Sequence, residues 1–394
     1  MTLLEKRHGC QLQTERHGAV LSHPIPLSVL ERAVYGATEL EPVAGGFAPR
    51  RLPAASRRFH ADEGLWRMAS HTSGVTLRLS TAASRLELQL LFQRETGPGR
   101  SPHRAVVVAE TAGGAQFVSL DEGDLLVERP DRTADRVPGS PSVIEFHLGQ
   151  SSVRPVTIWL PNATGVTILG GSADAPVLAR QLDQPRWVHY GSSISHGSDL
   201  DDPRRPWPVQ AAAQLGYQLT NLAFAGNAML DPFVARAIAV QPADLITLKI
   251  GINLVNGDAM RSRTFVPAVH GFLDLAREGH PATPVVLISA LGCAIHEQTP
   301  GPVRDVGGSA AGTPRETRPH DGTLTLERTR EHLEQVVAAR DDPQLRLMSG
   351  LDLLGLDEQH LLPDNLHPNA EGHDLIAARF SRQLASILPE WTLR

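Results

Sequence analysis

The sequence has few cysteines, few lysines and no long apolar run. Only two of its 394 residues are cysteines, Cys10 and Cys293. They lie far apart without metal-type spacing, so we expect free thiols and neither a disulfide framework nor a zinc site. Charges interrupt residues 1–20 every few positions, which argues against a secretory signal or a membrane-spanning helix. We therefore expect a cytoplasmic protein with no membrane partner.

A concentration of basic residues is also missing. Lys6 and Lys249 are the only lysines, and the formal net charge is -6. A nucleic-acid-binding surface needs dense positive charge to contact phosphates, so we expect no nucleic-acid partner. With 41% hydrophobic residues, a chain of this length can bury one large core or two ordinary ones.

Short runs of alternating apolar and polar residues mark the first half of the chain. A period of two is typical of strands with one buried face. Gly, Pro, Asp and Ser turns separate the runs, which favours antiparallel strands over βαβ units. We predict an antiparallel, jelly-roll-like β-sandwich domain over residues 1–180. The runs are GVTLRLS, RLELQLLFQ, RAVVVAE, AQFVSL, SVIEFHLG, RPVTIWLP and GVTILG.

The pattern changes after about position 185. Continuous apolar runs such as WVHY, ADLITLKIG and PVVLISAL now alternate with helical periods such as PVQAAAQLGY. This alternation predicts an α/β domain, over residues 187–394, whose parallel sheet is covered on both faces. The boundary between the two domains is expected between about 170 and 186.

A segment rich in Gly, Pro and Arg interrupts the second half between about 296 and 322. This composition predicts little regular structure, so the segment is either a disordered excursion or a loop near the site. We favour the loop, with a helix resuming at TLTLERTREHLEQVVAAR.

The stretch RWVHYGSSISHGSDL places Ser193 just after a predicted strand and at the start of a predicted helix. Ligands bind at the carboxyl ends of strands in open parallel sheets. A helix N-terminus also favours developing negative charge. Ser193 is therefore a candidate nucleophile, although this stretch alone is more typical of a serine that caps a helix.

A serine nucleophile needs a base, and the base needs an orienting group. Asp364 and His367 lie three residues apart in a Pro-flanked loop, so one loop can provide both. Gly226 and Asn253 each follow a strand and offer a backbone and a side-chain amide to an oxyanion. In isolation Gly226 is typical of a turn and Asn253 of a loop cap. Together these features favour an active site.

Residues 187–394 resemble the SGNH (GDSL-type) hydrolases, named after Ser, Gly, Asn and His in four sequence blocks. Gly191, Ser193 and Gly197 match the Gly-x-Ser-x-x-x-Gly of the first block, and Asp364-x-x-His367 matches the last. The resemblance implies a flavodoxin-like parallel sheet. The chain departs from the family pattern at two positions, which bears on subgroup and substrate more than on reaction type.

The departures are Ser192, where the family usually has Asp, and Leu254, where Asp often follows the Asn. The stretch is also not the Gly-x-Ser-x-Gly elbow of α/β-hydrolases, because Ser195 occupies the last position. The resemblance implies the following roles: Ser193 as nucleophile, His367 as base, Asp364 as its orienting partner, and the amides of Ser193, Gly226 and Asn253 as oxyanion donors.

The first half resembles, less specifically, the β-sandwich that precedes the catalytic domain in some bacterial SGNH enzymes and is similar to carbohydrate-binding modules. LPAASRRFHADEGLWRMASHTSGVTLRLST and VTIWLP are the matching parts. Two roles stay open for it, sugar binding or forming one wall of the substrate pocket. The sequence leaves the oligomeric state open.

The implied activity is that of a serine carboxylesterase that cleaves a short-chain ester of a small molecule or sugar. The alternative is an O-acyltransferase that passes the acyl group to a hydroxyl of a natural product or sugar, because the same blocks serve both chemistries. We expect a small-molecule ester substrate and neither cofactor nor metal.

Two rival interpretations stay open. The first is a metal site, since Asp364, His367, Glu371, His373 and Asp374 cluster in sequence, but their spacing matches no zinc motif. The second is a binding protein without catalysis, against which the complete set of site residues argues.

Two neighbours of the candidate nucleophile also need an interpretation. His196 is the nearest competing base in sequence, although its ring would have difficulty reaching the Ser193 hydroxyl. Trp207, after a Pro-rich turn, is interpreted as a packing residue rather than a substrate platform.

Overall fold

A computed structural model describes residues 21–59, 63–97, 101–129, 133–149, 152–314 and 321–392. The N-terminal segment with Lys6 and Cys10 lies outside the described residues. Within these ranges, no helix combines the length and the apolar character needed to cross a bilayer.

The first half contains two short helices, a 3-10 helix at Ala54–Phe59 and many strands. Helix α1 covers Leu27–Ala33 and α2 covers Glu63–Ser70. The strands are β1 His23–Pro24, β2 Val34–Tyr35, β3 Glu39–Val43, β4 Gly46–Arg50, β5 Thr76–Thr81, β6 Arg85–Thr96, β7 Ala105–Thr111, β8 Gly114–Leu120, β9 Asp124–Glu128, β10 Ala134–Val137, β11 Ser142–His147, β12 Arg154–Trp159, β13 Gly165–Ala173 and β14 Val177–Ala179.

These strands form two sheets. The first has the order β10-β9-β6-β13-β4-β3, with β1 beside β13 and β11 beside β6. The second has the order β14-β5-β12-β7-β8, with β2 beside β5. The pairs are antiparallel except that β6 and β9 run parallel. Each of the predicted runs contains a strand, so the antiparallel, strand-rich first half is confirmed; the sequence patterns missed the shorter strands.

Alternation along the strands explains the core of the first half. In β6, every second side chain is buried from Leu86 to Phe92, because successive side chains point to opposite faces of a strand. These residues share one apolar cluster with Leu77, Val107 and Ile158 of the second sheet. Both sheets thus bury their apolar faces in a common core.

The second half alternates strands and helices from residue 186 onwards. Its strands are β15 Arg186–Gly191, β16 Gln218–Ala223, β17 Leu245–Lys249, β18 Val285–Ile288, β19 Arg304–Val306, β20 Ser309–Ala311 and β21 Leu345–Met348. Its helices are α3 Ser193–His196, α4 Trp207–Leu215, α5 Pro232–Val240, α6 Ile252–Asn256, α7 Ser262–Gly279, α8 Leu326–Ala339 and α9 Ala370–Thr392, with 3-10 helices at Ala294–His296, Gly350–Asp352 and Leu356–Leu361.

The parallel sheet of the second half has the strand order β16-β15-β17-β18-β21. This is the 2-1-3-4-5 order of flavodoxin-like folds. Both faces are covered: Trp187 packs with α4 and α9, and Val188 packs with α5, α7 and α8. The predicted α/β fold of the second half is confirmed. Strand β21 was missed, because its run is short and partly polar.

The segment between 296 and 322 differs from its prediction in one respect. Strands β19 and β20 form a short hairpin within it, whereas the composition predicted little regular structure. Two consecutive glycines with positive φ, Gly307 and Gly308, make the tight turn possible. Residues 315–320 lie outside the described residues, and helix α8 follows as predicted. The hairpin lies beside the candidate site, since Ala310 N donates to Asp364 O at 2.8 Å.

Candidate active site

Ser193 is the first residue of α3, directly after β15, at the carboxyl edge of the parallel sheet. The chain turns sharply here because Gly191 leaves room that a side chain would fill. A Cβ at Gly191 would lie 2.7 Å from Ser195 Oγ. Gly197 then ends the short helix with a φ of 70°, a left-handed conformation that favours glycine. The Gly-x-Ser-x-x-x-Gly pattern is thus a backbone requirement.

The loop before α9 brings His367 and Asp364 to this serine. Ser193 Oγ lies 2.9 Å from His367 Nε2, and His367 Nδ1 lies 2.6 Å from Asp364 Oδ2. A carboxylate only accepts hydrogen bonds, so Nδ1 holds the proton and Nε2 accepts from the serine. The other Asp364 oxygen accepts from the backbone amides of His367 and Leu366, at 2.6 and 2.9 Å, which fixes the carboxylate.

The ionisation of this pair is set by opposing effects. Partial burial disfavours the Asp364 carboxylate, but the hydrogen bonds from His367 outweigh it and lower the pKa of Asp364 to about 2. Burial also disfavours protonated His367, yet the hydrogen bond to Asp364 and the charges of Asp199 and Asp364 raise its pKa overall. Asp199 Oδ2 lies 3.7 Å from His367 Nδ1. The imidazole is therefore a stronger base than an isolated histidine.

Three amide groups lie around the serine. Among the residues that the structure describes, the backbone amides of Ser193 and Gly226 donate to no protein acceptor. Asn253 Oδ1 accepts from Ala228 N at 3.0 Å, so the Asn253 Nδ2 group is left to donate elsewhere. All three residues line the cavity at Ser193. Such donors match the needs of an oxyanion.

The backbone conformation at position 226 favours glycine. Its φ is 69°, and a Cβ there would meet no atom within 4 Å. A side chain would therefore strain the backbone without a steric clash.

His196 lies beside this loop but does not contact Ser193 Oγ. Its Nε2 lies 2.9 Å from Asn162 O, and its Nδ1 accepts from Ala225 N at 3.3 Å. Burial, and then the charge of Arg51, keep the pKa of His196 well below its usual value. The ring is thus neutral and connects Asn162, in the first half, to the residue before Gly226.

Arg51 of the first half is a second buried connection, and sequence reasoning missed it. Its guanidinium donates to the carbonyl oxygens of His71 at 2.7 Å and of Asn221 at 3.0 Å, and also to those of Met68 and Ala223. Burial lowers the pKa of Arg51 to about 9. No local pattern distinguishes Arg51 from the neighbouring Arg50, because its partners lie between 17 and 172 positions further along the chain.

Ser73 is a third such contact. Its hydroxyl donates to His196 O at 2.6 Å and accepts from Asn221 Nδ2 at 3.1 Å. The same Asn221 amide donates to Ser195 O at 3.0 Å. Buried polar groups of the first half therefore fix both the helix that begins at Ser193 and the strand that leads to Gly226.

A cavity of about 460 Å³ opens at Ser193, which lies in the range of small-molecule sites. Both halves of the chain line it. The second half contributes the candidate site residues, and the first half contributes mainly charged and polar side chains, including Arg67, His71, Glu95, His103 and Glu128.

Four of the five residues of the rival metal interpretation contact other groups of the protein. His373 Nδ1 accepts from Trp207 N at 3.1 Å, and burial lowers the pKa of His373 to about 3. Asp374 pairs with Arg205, while Asp364 contacts His367. Among the described residues no group of three or more His, Cys, Asp or Glu side chains is arranged to hold a metal ion.

Two further predicted residues are buried away from the chemistry. Trp207 is fully buried and donates to Ser195 Oγ at 3.1 Å, so it is a packing residue as predicted. Cys293 is a buried free thiol, and burial raises its pKa to about 12. Such a thiol is a poor nucleophile.

Comparison with known proteins identifies a family for part of the chain. The model of the GDSL-like lipase/acylhydrolase family matches residues 189–375. No curated protein matches the chain.

Among solved structures, the salicylyl-acyltransferase SsfX3 from a tetracycline biosynthetic pathway is 25% identical, with a TM-score of 0.74 over 90% of this chain and 94% of that one. A structure described as a GDSL-like lipase from Bacteroides ovatus is 19% identical, with a TM-score of 0.66 over 93% and 98%. A family two carbohydrate esterase from Clostridium thermocellum is 12% identical, with a TM-score of 0.60 over 91% of this chain and 99% of that one.

The family match covers the strands and loops that hold Ser193, Gly226, Asn253 and His367, and the structural likenesses extend over both halves of the chain. The described contacts and the comparisons point to the same chemistry. Residues 189–375 are therefore a GDSL-like lipase/acylhydrolase domain, and the structural neighbours of the chain are esterases and acyltransferases of this type.

Proposed function

We propose that the protein is a serine carboxylesterase that cleaves a short-chain ester of a small molecule or sugar, with Ser193 as nucleophile, His367 as base and Asp364 as the group that orients His367. The observation that supports this most directly is the continuous contact from Asp364 through His367 to Ser193, at 2.6 and 2.9 Å. Such a chain of contacts activates a hydroxyl that is otherwise a weak nucleophile.

In the first step, Ser193 Oγ attacks the ester carbonyl while its proton moves to His367 Nε2. The carbonyl oxygen becomes an oxyanion, which accepts hydrogen bonds from the amides of Ser193, Gly226 and Asn253. When this intermediate collapses, the bond to the alcohol breaks and His367 returns the proton to the leaving oxygen. An acyl-serine and a free alcohol result.

In the second step, a hydroxyl group attacks the acyl-serine while His367 takes its proton, and Ser193 recovers that proton as the acyl group leaves. If the attacking molecule is water, the product is a carboxylic acid. If it is an alcohol, the product is a new ester, and the enzyme is an O-acyltransferase. The likeness to a salicylyl-acyltransferase over most of both chains favours keeping this second function as a candidate.

We also propose that the first half is a β-sandwich domain, residues 1–180, and that residues 187–394 form the catalytic domain. The common core of the two sheets supports the sandwich. The interval between the end of β14 at Ala179 and the start of β15 at Arg186 supports the boundary. In this proposal the sandwich completes the substrate pocket instead of acting as a separate binding module.

The test is a time course of intact protein mass and of released acid, with nitrophenyl esters from acetyl to octanoyl. Wild type and Ser193→Ala are compared. Rapid acid release by wild type alone, fastest with the shortest esters, is expected for the esterase. Accumulation of one acyl group on wild type with slow acid release would favour the transferase. No adduct and no acid with any ester would contradict both functions.

A further inference from the structure

The first-half wall of the cavity contains a group of charged side chains that the proposed chemistry does not use. Arg67 Nη2 lies 3.1 Å from Glu128 Oε1, and Arg67 Nε lies 3.9 Å from Glu95 Oε1. The same Glu95 oxygen lies 3.1 Å from His71 Nε2. We name Arg67, His71, Glu95 and Glu128 the Arg67 cluster.

The fold places the two carboxylates together through the parallel pairing of β6 and β9. Glu95 lies opposite Leu126 in this pair, and Glu128 lies two residues further along β9. Side chains two residues apart point to the same face of a strand, so both carboxylates face Arg67 of α2. The parallel pair is thus the element that assembles the cluster.

Three side chains of the Arg67 cluster are partly buried. The exposed fractions of the side chains are 13% for Arg67, 20% for Glu95 and 24% for Glu128. Partly buried ion pairs contribute little net stability, because desolvation offsets the attraction. All four residues line the cavity that also contains Ser193 and Gly226. Their position is therefore better explained by a ligand than by stability.

We propose that the Arg67 cluster binds hydroxyl groups of the alcohol part of the substrate, so that the enzyme selects esters of polyhydroxylated alcohols. This inference rests on the proposed function. Carboxylates accept hydrogen bonds from hydroxyl groups, and a guanidinium donates hydrogen bonds to hydroxyl oxygens. A polyol can use both kinds of group at once. Glu95 and Glu128 offset the charge of Arg67, so the cluster does not favour an anionic substrate.

The cluster also disfavours apolar alcohol groups in this cavity. An alkyl chain that displaces water from Arg67, Glu95 and Glu128 replaces none of the lost hydrogen bonds, and such desolvation costs free energy. A hydroxylated group returns those hydrogen bonds. In this proposal the Arg67 cluster of the first half selects the alcohol, and Ser193 of the second half lies in the same cavity.

The test compares two kinds of substrate in wild type, Glu128→Gln and Glu95→Gln. One kind is monoacetylated polyols, namely glycerol and the methyl glycosides of glucose, galactose and xylose. The other is nitrophenyl acetate, whose alcohol has no further hydroxyl. We expect kcat/KM for the preferred polyol ester to fall about tenfold or more in both variants, mainly through KM. The value for nitrophenyl acetate should fall less than this, so the ratio of the two kcat/KM values should decrease in both variants.

Glu145→Gln is the matched control, since Glu145 pairs with Arg85 at 2.5 Å on the first sheet outside the set of residues that line the cavity. Thermal unfolding of each variant checks that the fold is kept. Equal losses on both kinds of substrate, or no preference of wild type for any polyol ester, would overturn the proposal.

A binding measurement separates this proposal from the proposed function. Ser193→Ala protein is titrated calorimetrically with the unacetylated methyl glycosides, with and without Glu128→Gln. Weaker binding by about tenfold in the double variant supports the Arg67 cluster even if wild type hydrolyses no ester. Equal binding in both proteins, or no binding to either, would count against it.

Discussion

The two halves of the chain meet at one cavity but contribute different kinds of groups to it. The second half presents Ser193, His367 and Asp364 at the carboxyl edge of a parallel sheet, on loops that leave its strands. The first half presents ion pairs to the cavity and, behind it, the buried donors of Arg51 and Ser73.

This difference separates two requirements of acyl transfer. The reacting groups must be close to each other: one loop joins Asp364 to His367, and the fold of the second half brings that loop to Ser193. The oxyanion donors must also be held at a fixed distance from the nucleophile, which requires support from behind the loops. In this protein that support comes from a different part of the chain, so its removal should weaken the chemistry without abolishing it.

The largest effect should come from His367, the proposed base in the second half. We expect His367→Ala to lower kcat/KM for nitrophenyl acetate by about 10⁴-fold or more, because no group then takes the proton from Ser193. Steady-state kinetics with a purified variant measure this. His147→Ala, which removes an exposed histidine of the first half, is the control. Activity of His367→Ala close to that of wild type would contradict the assignment.

The next largest effect should come from Asp364, the proposed partner of His367. Asp364→Asn should lower kcat/KM by about 10³-fold, since the amide no longer holds the His367 tautomer that accepts from Ser193.

The pH profile of Asp364→Asn should change as well. Catalysis needs neutral His367, whose pKa is raised chiefly by Asp364 against the effect of burial, so wild-type activity should be lost as pH falls through a value above about 6.5. In the variant this acid limb should move to lower pH. If the acid limb of the variant stays at the wild-type pH, the titration of a group other than His367 causes it.

The candidate site residues of the second half could be predicted from the sequence because they lie in short, recognisable motifs. The spacing of Asp364 and His367, and the glycines around Ser193, are consequences of one loop and one tight turn. The seven alternating runs of the first half were equally visible, because one buried face gives a period of two. Short strands such as β1 and β2, with two residues each, leave no period to detect.

The supporting groups could not be found in this way. Arg51 is separated from Asn221 by 170 positions and Ser73 from His196 by 123. A buried arginine at the end of a strand has the same local pattern as an exposed one. The parallel pairing of β6 with β9, which brings Glu95 and Glu128 together, was also invisible, because pairing direction depends on chain topology and not on local composition.

A stability measurement tests the support from the first half. Arg51→Met leaves the buried carbonyl oxygens of His71 and Asn221, among others, without their donor. We expect the free energy of unfolding to fall by about 3 kcal/mol or more, measured by urea denaturation. Arg50→Met is the matched control: Arg50 pairs with Glu41 near the surface, at 2.6 Å, and its loss should cost about 1 kcal/mol or less. Equal losses would mean that the buried contacts of Arg51 add no stability.

The smallest effect should come from His196, which connects Asn162 of the first half to Ala225, the residue before the proposed oxyanion donor Gly226. His196→Ala removes the acceptor of the Ala225 amide and the donor to Asn162 O, so Gly226 is held less firmly. We expect kcat to fall about tenfold with little change in KM, since the oxyanion forms only during reaction. The acid limb of the pH profile should stay at the wild-type position, because His196 is already neutral. A shift of that limb, or a loss of activity as large as that in His367→Ala, would indicate that His196 takes part in proton transfer. His196 would then be a reacting group and not a supporting one.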